Sequence, residues 1–312
     1  MKNITEMYGL NEQHILKQIR SEQSEGLNAV ETKRRLRAKD LKDYVPTTKN
    51  NKVSINLIYT TVQTRMSVYY SDRMNVEWKA RKETGRGIAS NLTRLAEFDY
   101  SEMNLEVLNY QWYWDSEVLG VGIKVIDGWD KETSTPMARI MSPLSWVPDP
   151  RGDFTGQNHR WAGFQVEESL GVLKVSKHYS NVEMINSEVD LRQNEIRRAY
   201  TDGRSIIDQG YEQVDNKNYP LYHHYTIIGG YKYVCTTAND NSLLIRIVRL
   251  EPITKAEKEN PLLVPFPFAL LYSDPVKGDP FGISIPDKLR DKQQAKSKLF
   301  NLAVKKETRN SL

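Results

Sequence analysis

Among its 312 residues the sequence holds one cysteine, Cys235. No intrachain disulfide can form and no cysteine-based zinc site can be built, so the chain reads as one made for a reducing compartment. Long apolar runs are missing as well. The longest uncharged stretches, residues 218–231 and 260–273, have 14 residues each, whereas a membrane-spanning helix needs about 20. The second is further broken by Pro261, Pro265 and Pro267. Residues 1–20 contain no apolar segment of the kind a signal peptide requires. The expectation is a soluble protein with no membrane partner.

The signatures of common chemistries are absent too. A phosphate-binding loop needs Gly-x4-Gly-Lys-Ser/Thr, and no such string occurs. Gly85-Arg86-Gly87 lacks a preceding strand and a third glycine, and reads as a helix start or hinge. Gly282-Ile283-Ser284-Ile285-Pro286 superficially matches a nucleophile elbow, but Pro286 stands where the elbow needs a second glycine. Ser284 reads instead as a helix N-cap assisted by Asp287 three residues on. Of the five histidines (His14, His159, His178, His223 and His224) none pair at i, i+4, and adjacent His223 and His224 would face opposite sides of a strand. Asp149 and Asp153 flank Pro150 and Gly152, a pattern of turn chemistry rather than catalysis. The expectations are no enzyme, no cofactor and no metal.

What is present is charge, unevenly placed. Lys and Arg number 44 against 40 Asp and Glu, for a net charge of +4. Residues 286–312 alone carry eight basic residues (Lys288, Arg290, Lys292, Lys296, Lys298, Lys305, Lys306, Arg309) against Asp287, Asp291 and Glu307. The body is therefore close to neutral, unlike a protein that coats DNA along its whole surface. A second basic run, Lys33, Arg34, Arg35, Arg37, Lys39 and Lys42, is opposed by Glu31 and Asp40. It reads as a solvated helix face, with phosphate or partner contact as the alternative.

Hydrophobic periodicity predicts helices over 11–20, from 28 or 31 to 42, and over 54–70, with Ile55, Ile58, Val62, Met66 and Tyr69 on one face. Residues 88–119 form one long helix or two broken near Asp99, with Leu92, Leu95, Ala96, Phe98, Leu105, Leu108, Trp112 and Leu119 as a continuous stripe. The aromatic group Tyr110, Trp112, Tyr113 and Trp114 reads as core or inter-subunit packing rather than base stacking. Beyond Gly120 strands follow: a hairpin around 127–135, short strands at 161–166, 222–228, 231–236 and 243–250, and a Gly229-Gly230 turn. Residues 167–179 and part of 181–218 are expected to be helical, 261–273 extended, and 285–306 a closing helix. Helices first and strands later, without βαβ alternation, make the class α+β. Four consecutive segments are expected: a helical arm (1–50), an α+β region (51–218), a β-rich region (219–284) and the start of a further helix (285–312).

The closing helix is unusual. Between Leu289 and Leu299 its only apolar residue is Ala295, and a helix polar all round bridges solvent, packs on copies of itself or lines an aqueous channel. The sequence then stops at Arg309-Asn310-Ser311-Leu312 without a cap, as a fragment of a longer chain would.

Three segments, in this order, carry a resemblance. The first runs from Asn56 through Asn91-Leu92-Thr93-Arg94-Leu95 to Gly120-Val121-Gly122-Ile123-Lys124-Val125. The second is Pro143-Leu144-Ser145-Trp146-Val147-Pro148-Asp149-Pro150. The third is Pro265-Phe266-Pro267 with Gly282-Ile283-Ser284-Ile285-Pro286-Asp287 and Gln293. Together they resemble the portal proteins of tailed bacteriophages, the podovirus type more than the short siphovirus type. The motif positions are Gly120, Pro143, Asp149, Pro150, Gly282, Ser284, Asp287 and Gln293. Family members are considerably longer, and the resemblance implies a C-terminally truncated chain.

It further implies a wing, stem and clip architecture and a ring, typically of twelve subunits, at one capsid vertex of the virion, assembled in the host cytoplasm. Double-stranded DNA would pass through the channel during packaging and ejection. Partners would be other copies of the chain, the terminase large subunit, the major capsid or scaffolding protein, and a head–tail adaptor. On this reading Lys288, Arg290, Lys292, Lys296 and Lys298 lie near the channel or an inter-subunit interface. Two alternatives stand beside it: a monomeric nucleic-acid-binding accessory protein using its basic helices, and a hydrolase or nuclease with no visible motif.

Overall fold

The computed structural model describes residues 8–44, 56–71, 76–130, 135–156, 158–176, 178–185 and 218–310. It is a mixed α+β structure with antiparallel sheets, as the element order predicts. Its residues group into two compact units, each drawn from separate stretches of the chain: 1–38, 144–266 and 276–280 in one, and 39–143, 267–275 and 281–312 in the other.

The first unit is built on helix α1 (Glu12–Tyr44), whose last residues belong to the second unit. Two helices are expected here, but one continuous helix of 33 residues forms. Its inward stripe follows the 3.6-residue period through Ile15, Ile19, Glu22, Gly26, Val30, Arg34 and Arg37. Gly26 is retained inside the helix because of a close approach. A Cβ there would sit 2.5 Å from side-chain atoms of both Trp161 and Val147. The absent side chain lets the helix lie directly on strands β3 (Trp146–Pro148) and β4 (Ala162–Ser169). These strands continue into β5 (Asn218–Ile228), β6 (Tyr231–Ala238) and β7 (Leu243–Arg249), a five-stranded antiparallel meander in chain order.

Ile15, Leu16 and Ile19 pack on Ile228, Tyr233, Cys235, Leu244 and Ile247. A second cluster joins Leu173, Val182 and Ile185 to Tyr219, Leu221, Leu243 and Ile245. The helix expected over 167–179 is the short α5 (Leu170–Val175), capped by the Ser169 hydroxyl, because the preceding residues pair with β5 instead. Most of the helix expected within 181–218, from residue 186 to 217, lies outside the described residues.

The second unit contains α2 (Leu57–Ser71), α3 (Arg86–Glu102), α4 (Leu105–Leu119) and a sheet in the order β2-β1-β8, from β1 (Val121–Asp130), β2 (Thr135–Met141) and β8 (Phe268–Tyr272). Ile58, Val62 and Met66, spaced four apart on α2, are buried with Tyr44, Val118, Leu119 and Ile285. Each such side chain contributes about 1.5–3 kcal/mol by leaving water. The short helix α6 (Lys255–Glu259), which belongs to the first unit, is closed by a capping box between Thr254 and Glu257. A hairpin, β9 (Asp274–Val276) and β10 (Asp279–Ile283), leads into the last helix, α7 (Ile285–Asn310).

Of the two forms expected over 88–119 the two-helix one is found, while the continuous apolar stripe is corrected. The helix breaks at Met103-Asn104, where Asn104 takes a left-handed conformation at φ 49°. Moreover α3 has no buried residue, and Leu92, Leu95 and Phe98 face outward. The aromatic group of α4 packs within its own unit. Tyr113 stacks on Tyr69 at 4.8 Å, Trp114 meets Tyr44 edge-on at 5.3 Å, and the Lys124 ammonium lies 4.1 Å from the centre of the Trp112 ring.

Candidate functional site

Four of the motif positions come together where α7 begins. Gly282 has φ 61°, and a Cβ there would stand 2.5 Å from the Asp274 carbonyl oxygen, so only glycine lets the two backbones pass. Ser284 then caps the helix as its sequence context predicts. Its hydroxyl accepts from the Asp287 N–H at 3.2 Å, and the Asp287 carboxylate accepts from the Ser284 N–H at 3.4 Å. The same hydroxyl donates to Asp40 Oδ2 at 3.0 Å, tying the cap to the end of α1.

Two turns on, Gln293 is buried, and its side-chain oxygen accepts from the Ile58 N–H at 2.9 Å. That N–H is one of the donors a helix start leaves without an intrahelical partner. Asn56 satisfies another, accepting from the Tyr59 N–H at 2.9 Å. The Gln293 amide thus serves as a cap supplied by α7 to α2. The reading of α7 as polar all round is therefore corrected: Ile285, Leu289 and Gln293, four apart, form a packed face over its first turns.

The basic residues of α7 divide into two groups. Arg290 Nε donates to Asp43 Oδ2 at 2.6 Å, its Nη2 pairs with Asp40, and its Nη1 lies 3.5 Å from Asp287. Burial works against the charge of Arg290, but Asp43, Asp40 and Asp287 outweigh it and hold its pKa above the ordinary value. Lys288 pairs with Asp274. Lys292, Lys296 and Lys298 are exposed and have no ion-pair partner among the described residues. So the five cations selected from sequence serve two roles: two bind the helix down and three face water.

Of the remaining motif positions, Gly120 closes α4 and Pro143 opens the turn Pro143–Ser145. Asp149 and Pro150 belong to the other unit. There Asp149, almost fully buried, accepts from the Arg151 N–H at 3.0 Å and from the Arg160 N–H, Nε and Nη2 at 3.1, 2.8 and 2.7 Å. Burial favours its neutral form, but these donors prevail and hold its carboxyl below the usual range. This is turn organisation by a carboxylate, as is the cluster around Asp153. The histidines on β5 are structural in the same sense: His224 Nε2 meets Glu22 at 2.6 Å and His223 Nδ1 meets Thr236 at 2.9 Å. Cys235 is fully buried, which pushes its thiol pKa up and away from reactivity.

The basic run on α1 is divided between packing and solvent, with Arg35, Lys39 and Lys42 exposed as a solvated face would have them. Arg37 is fully buried, Arg34 donates to the Trp146 carbonyl at 2.8 Å, Lys33 pairs with Asp279 at 2.6 Å, and Arg35 pairs with Glu31. The sequence reading missed the carboxylates that do the holding. Asp40 and Asp43, three apart at the end of α1, are the partners of Arg290 and Ser284. Their spacing on one helix face was the available signal. Among the described residues no cluster of His, Cys, Asp and Glu is arranged to hold a metal ion.

No protein-family model matches the chain, and no curated protein matches it.

Proposed function

We propose that the chain is a subunit of a portal-like ring, a non-catalytic conduit for double-stranded DNA at a capsid vertex. The observation that carries this reading is the division of α7. Its first turns are fixed by the Ser284 cap, the Gln293 amide and the Arg290 carboxylate cluster, while Lys292, Lys296 and Lys298 are exposed and have no ion-pair partner among the described residues. The three-part sequence resemblance supplies the rest.

The physical logic suits a duct. Each phosphate neutralised by a lysine releases counterions and adds affinity, so a tight phosphate pocket would stall a moving duplex. A few solvated lysines per subunit, repeated around a ring, give a diffuse positive field without a fixed register and without base reading. An ATPase on a separate terminase chain would drive the DNA, with capsid or scaffolding protein and a head–tail adaptor docking outside.

The test is light-scattering mass and negative-stain imaging, followed by DNA packaging with Lys292→Glu, Lys296→Glu and Lys298→Glu combined. Rings with a central hole, and a packaging defect in rings that still form, are expected. A protein that stays monomeric at every concentration would defeat the conduit and promote the accessory binder. That alternative would use α7 together with the exposed Lys39 and Lys42 of α1, since Arg34 and Arg37 are buried.

A further inference from the structure

Two apolar helix faces in the second unit have no cover among the described residues. On α3, Ile88, Leu92, Leu95 and Phe98 are 66%, 37%, 53% and 50% exposed. Their spacing puts them on one stripe, which Asp99 and Glu102 prolong toward the helix end. Neither carboxylate has an ion pair among the described residues. On α7, beyond the packed turns, Leu299 and Leu302 are 68% and 62% exposed. With Ala303 and Lys306 they occupy i, i+3, i+4 and i+7, one helical stripe.

The two stripes match in register and charge. Laid parallel, Leu95 meets Leu299, Phe98 meets Leu302 and Glu102 meets Lys306, with the same offset throughout. From Leu95 and Leu299 onward the apolar residues coincide and the acidic end of one falls on the basic end of the other, whereas the earlier Ile88 and Leu92 have Lys292 and Lys296 at that offset. Within the chain α7 packs mainly on α2 and α4, and α3 mainly on α4.

We infer that the α3 face of one copy receives the second half of α7 from the next copy, in a head-to-tail interface. Different patches meeting in this way generate a closed ring or an open filament, not an isologous dimer. The inference deepens the ring reading and rests on it for closure. The contact is confined to the second half of α7: carried further back, the same offset would set Ile88 on Lys292 and Leu92 on Lys296, so for these lysines to stay free the two helices must diverge before Leu95 and Leu299.

The experiment mixes two full-length variants, Leu95→Cys and Leu299→Cys, under mild oxidation. Both positions are exposed, so the fold should tolerate them, and buried Cys235 stays out of the reaction. A disulfide-linked pair should form in the mixture and not with either variant alone. Glu102→Lys should weaken assembly about tenfold, and adding Lys306→Glu should restore it. Rings of the parent chain without the mixed cross-link would overturn the interface and leave the conduit standing. The mixed cross-link in open filaments or short oligomers would uphold the interface and count against the conduit. Cross-linking of one variant with itself would mean an isologous contact and refute the head-to-tail arrangement.

Discussion

Helices α1 and α7 carry comparable runs of basic residues and divide them differently: α1 interleaves buried Arg34 and Arg37 with exposed Arg35, Lys39 and Lys42, whereas α7 separates its two kinds along its length. On α1 the inward stripe itself becomes basic, so Arg34 and Arg37 are buried and Lys33 and Arg35 are paired. On α7 only the first cations are engaged, Lys288 with Asp274 and Arg290 with Asp40 and Asp43, and the later ones face water. A count of Lys and Arg along a helix is therefore not an electrostatic face. What decides is whether the 3.6-residue period carries a given cation toward a packed neighbour or away from it.

The comparison breaks most visibly at Arg290. Arg290→Ala would remove the guanidinium that pairs with Asp40, fully buried, and with Asp43. Removing one partner of a buried pair costs about 3–5 kcal/mol, and urea unfolding should show a midpoint shift of that size. A loss below about 1 kcal/mol would mean that the cluster is solvated and that both halves of α7 are alike.

Lys124 sharpens the comparison with a third kind of cation, buried on β1 with no carboxylate partner among the described residues. Desolvation lowers its pKa from 10.5 to about 8, while it donates to the Asn109 side chain. Between those values the unfolded chain binds a proton that the folded chain does not, so this lysine makes stability rise with pH across about 8 to 10.5. Cys235 acts in the other direction at the upper end, because its raised pKa favours the unfolded thiolate. The contribution of Lys124 is isolated by difference. Stability of the parent minus that of Lys124→Met should climb with a slope approaching about 1.4 kcal/mol per pH unit. A flat difference would show that Lys124 keeps its water.

Gln293→Leu is expected to cost about 1–2 kcal/mol, since it strands a helix-start N–H that no other side chain of α7 reaches. Gln293→Glu should restore much of this, because a carboxylate accepts from the same donor. A neutral Leu variant would reduce the amide to a bystander.

How much of this was legible beforehand follows the range of the interactions. The Ser284 cap, the Asp149 turn, the buried face of α2 and the meander with its Gly229-Gly230 turn are local or periodic, and the sequence carried them. One helix α1 forms where two are expected, because residues 28 and 31 read as helix starts, whereas Gly26, packed against Trp161 and Val147, lies inside a continuous helix. The outward turn of Leu92, Leu95 and Phe98 was invisible for a related reason. Periodicity announces an apolar face but not whether the same chain covers it. The Arg290 cluster joins residues about 250 positions apart in sequence, which no spacing rule reaches.

The smallest effect is the most telling about the outer half of α7. Combined reversal of Lys292, Lys296 and Lys298 should move the urea midpoint by no more than about 0.5 kcal/mol, because exposed charges without partners contribute little to folding. Salt makes the argument two-sided. If these lysines serve DNA, the parent's DNA retention should fall steeply as salt rises from about 50 to 200 mM, and the reversed protein should show a shallower dependence at unchanged stability. Should the reversal instead unfold the protein, the lysines would be structural, like the buried Arg34 and Arg37 of α1, and α7 would lose the division on which the conduit reading rests. Equal stability with an unchanged salt slope would place the DNA elsewhere on the molecule. Only unchanged folding together with a reduced slope fits a helix that is fastened at one end in order to present charge at the other.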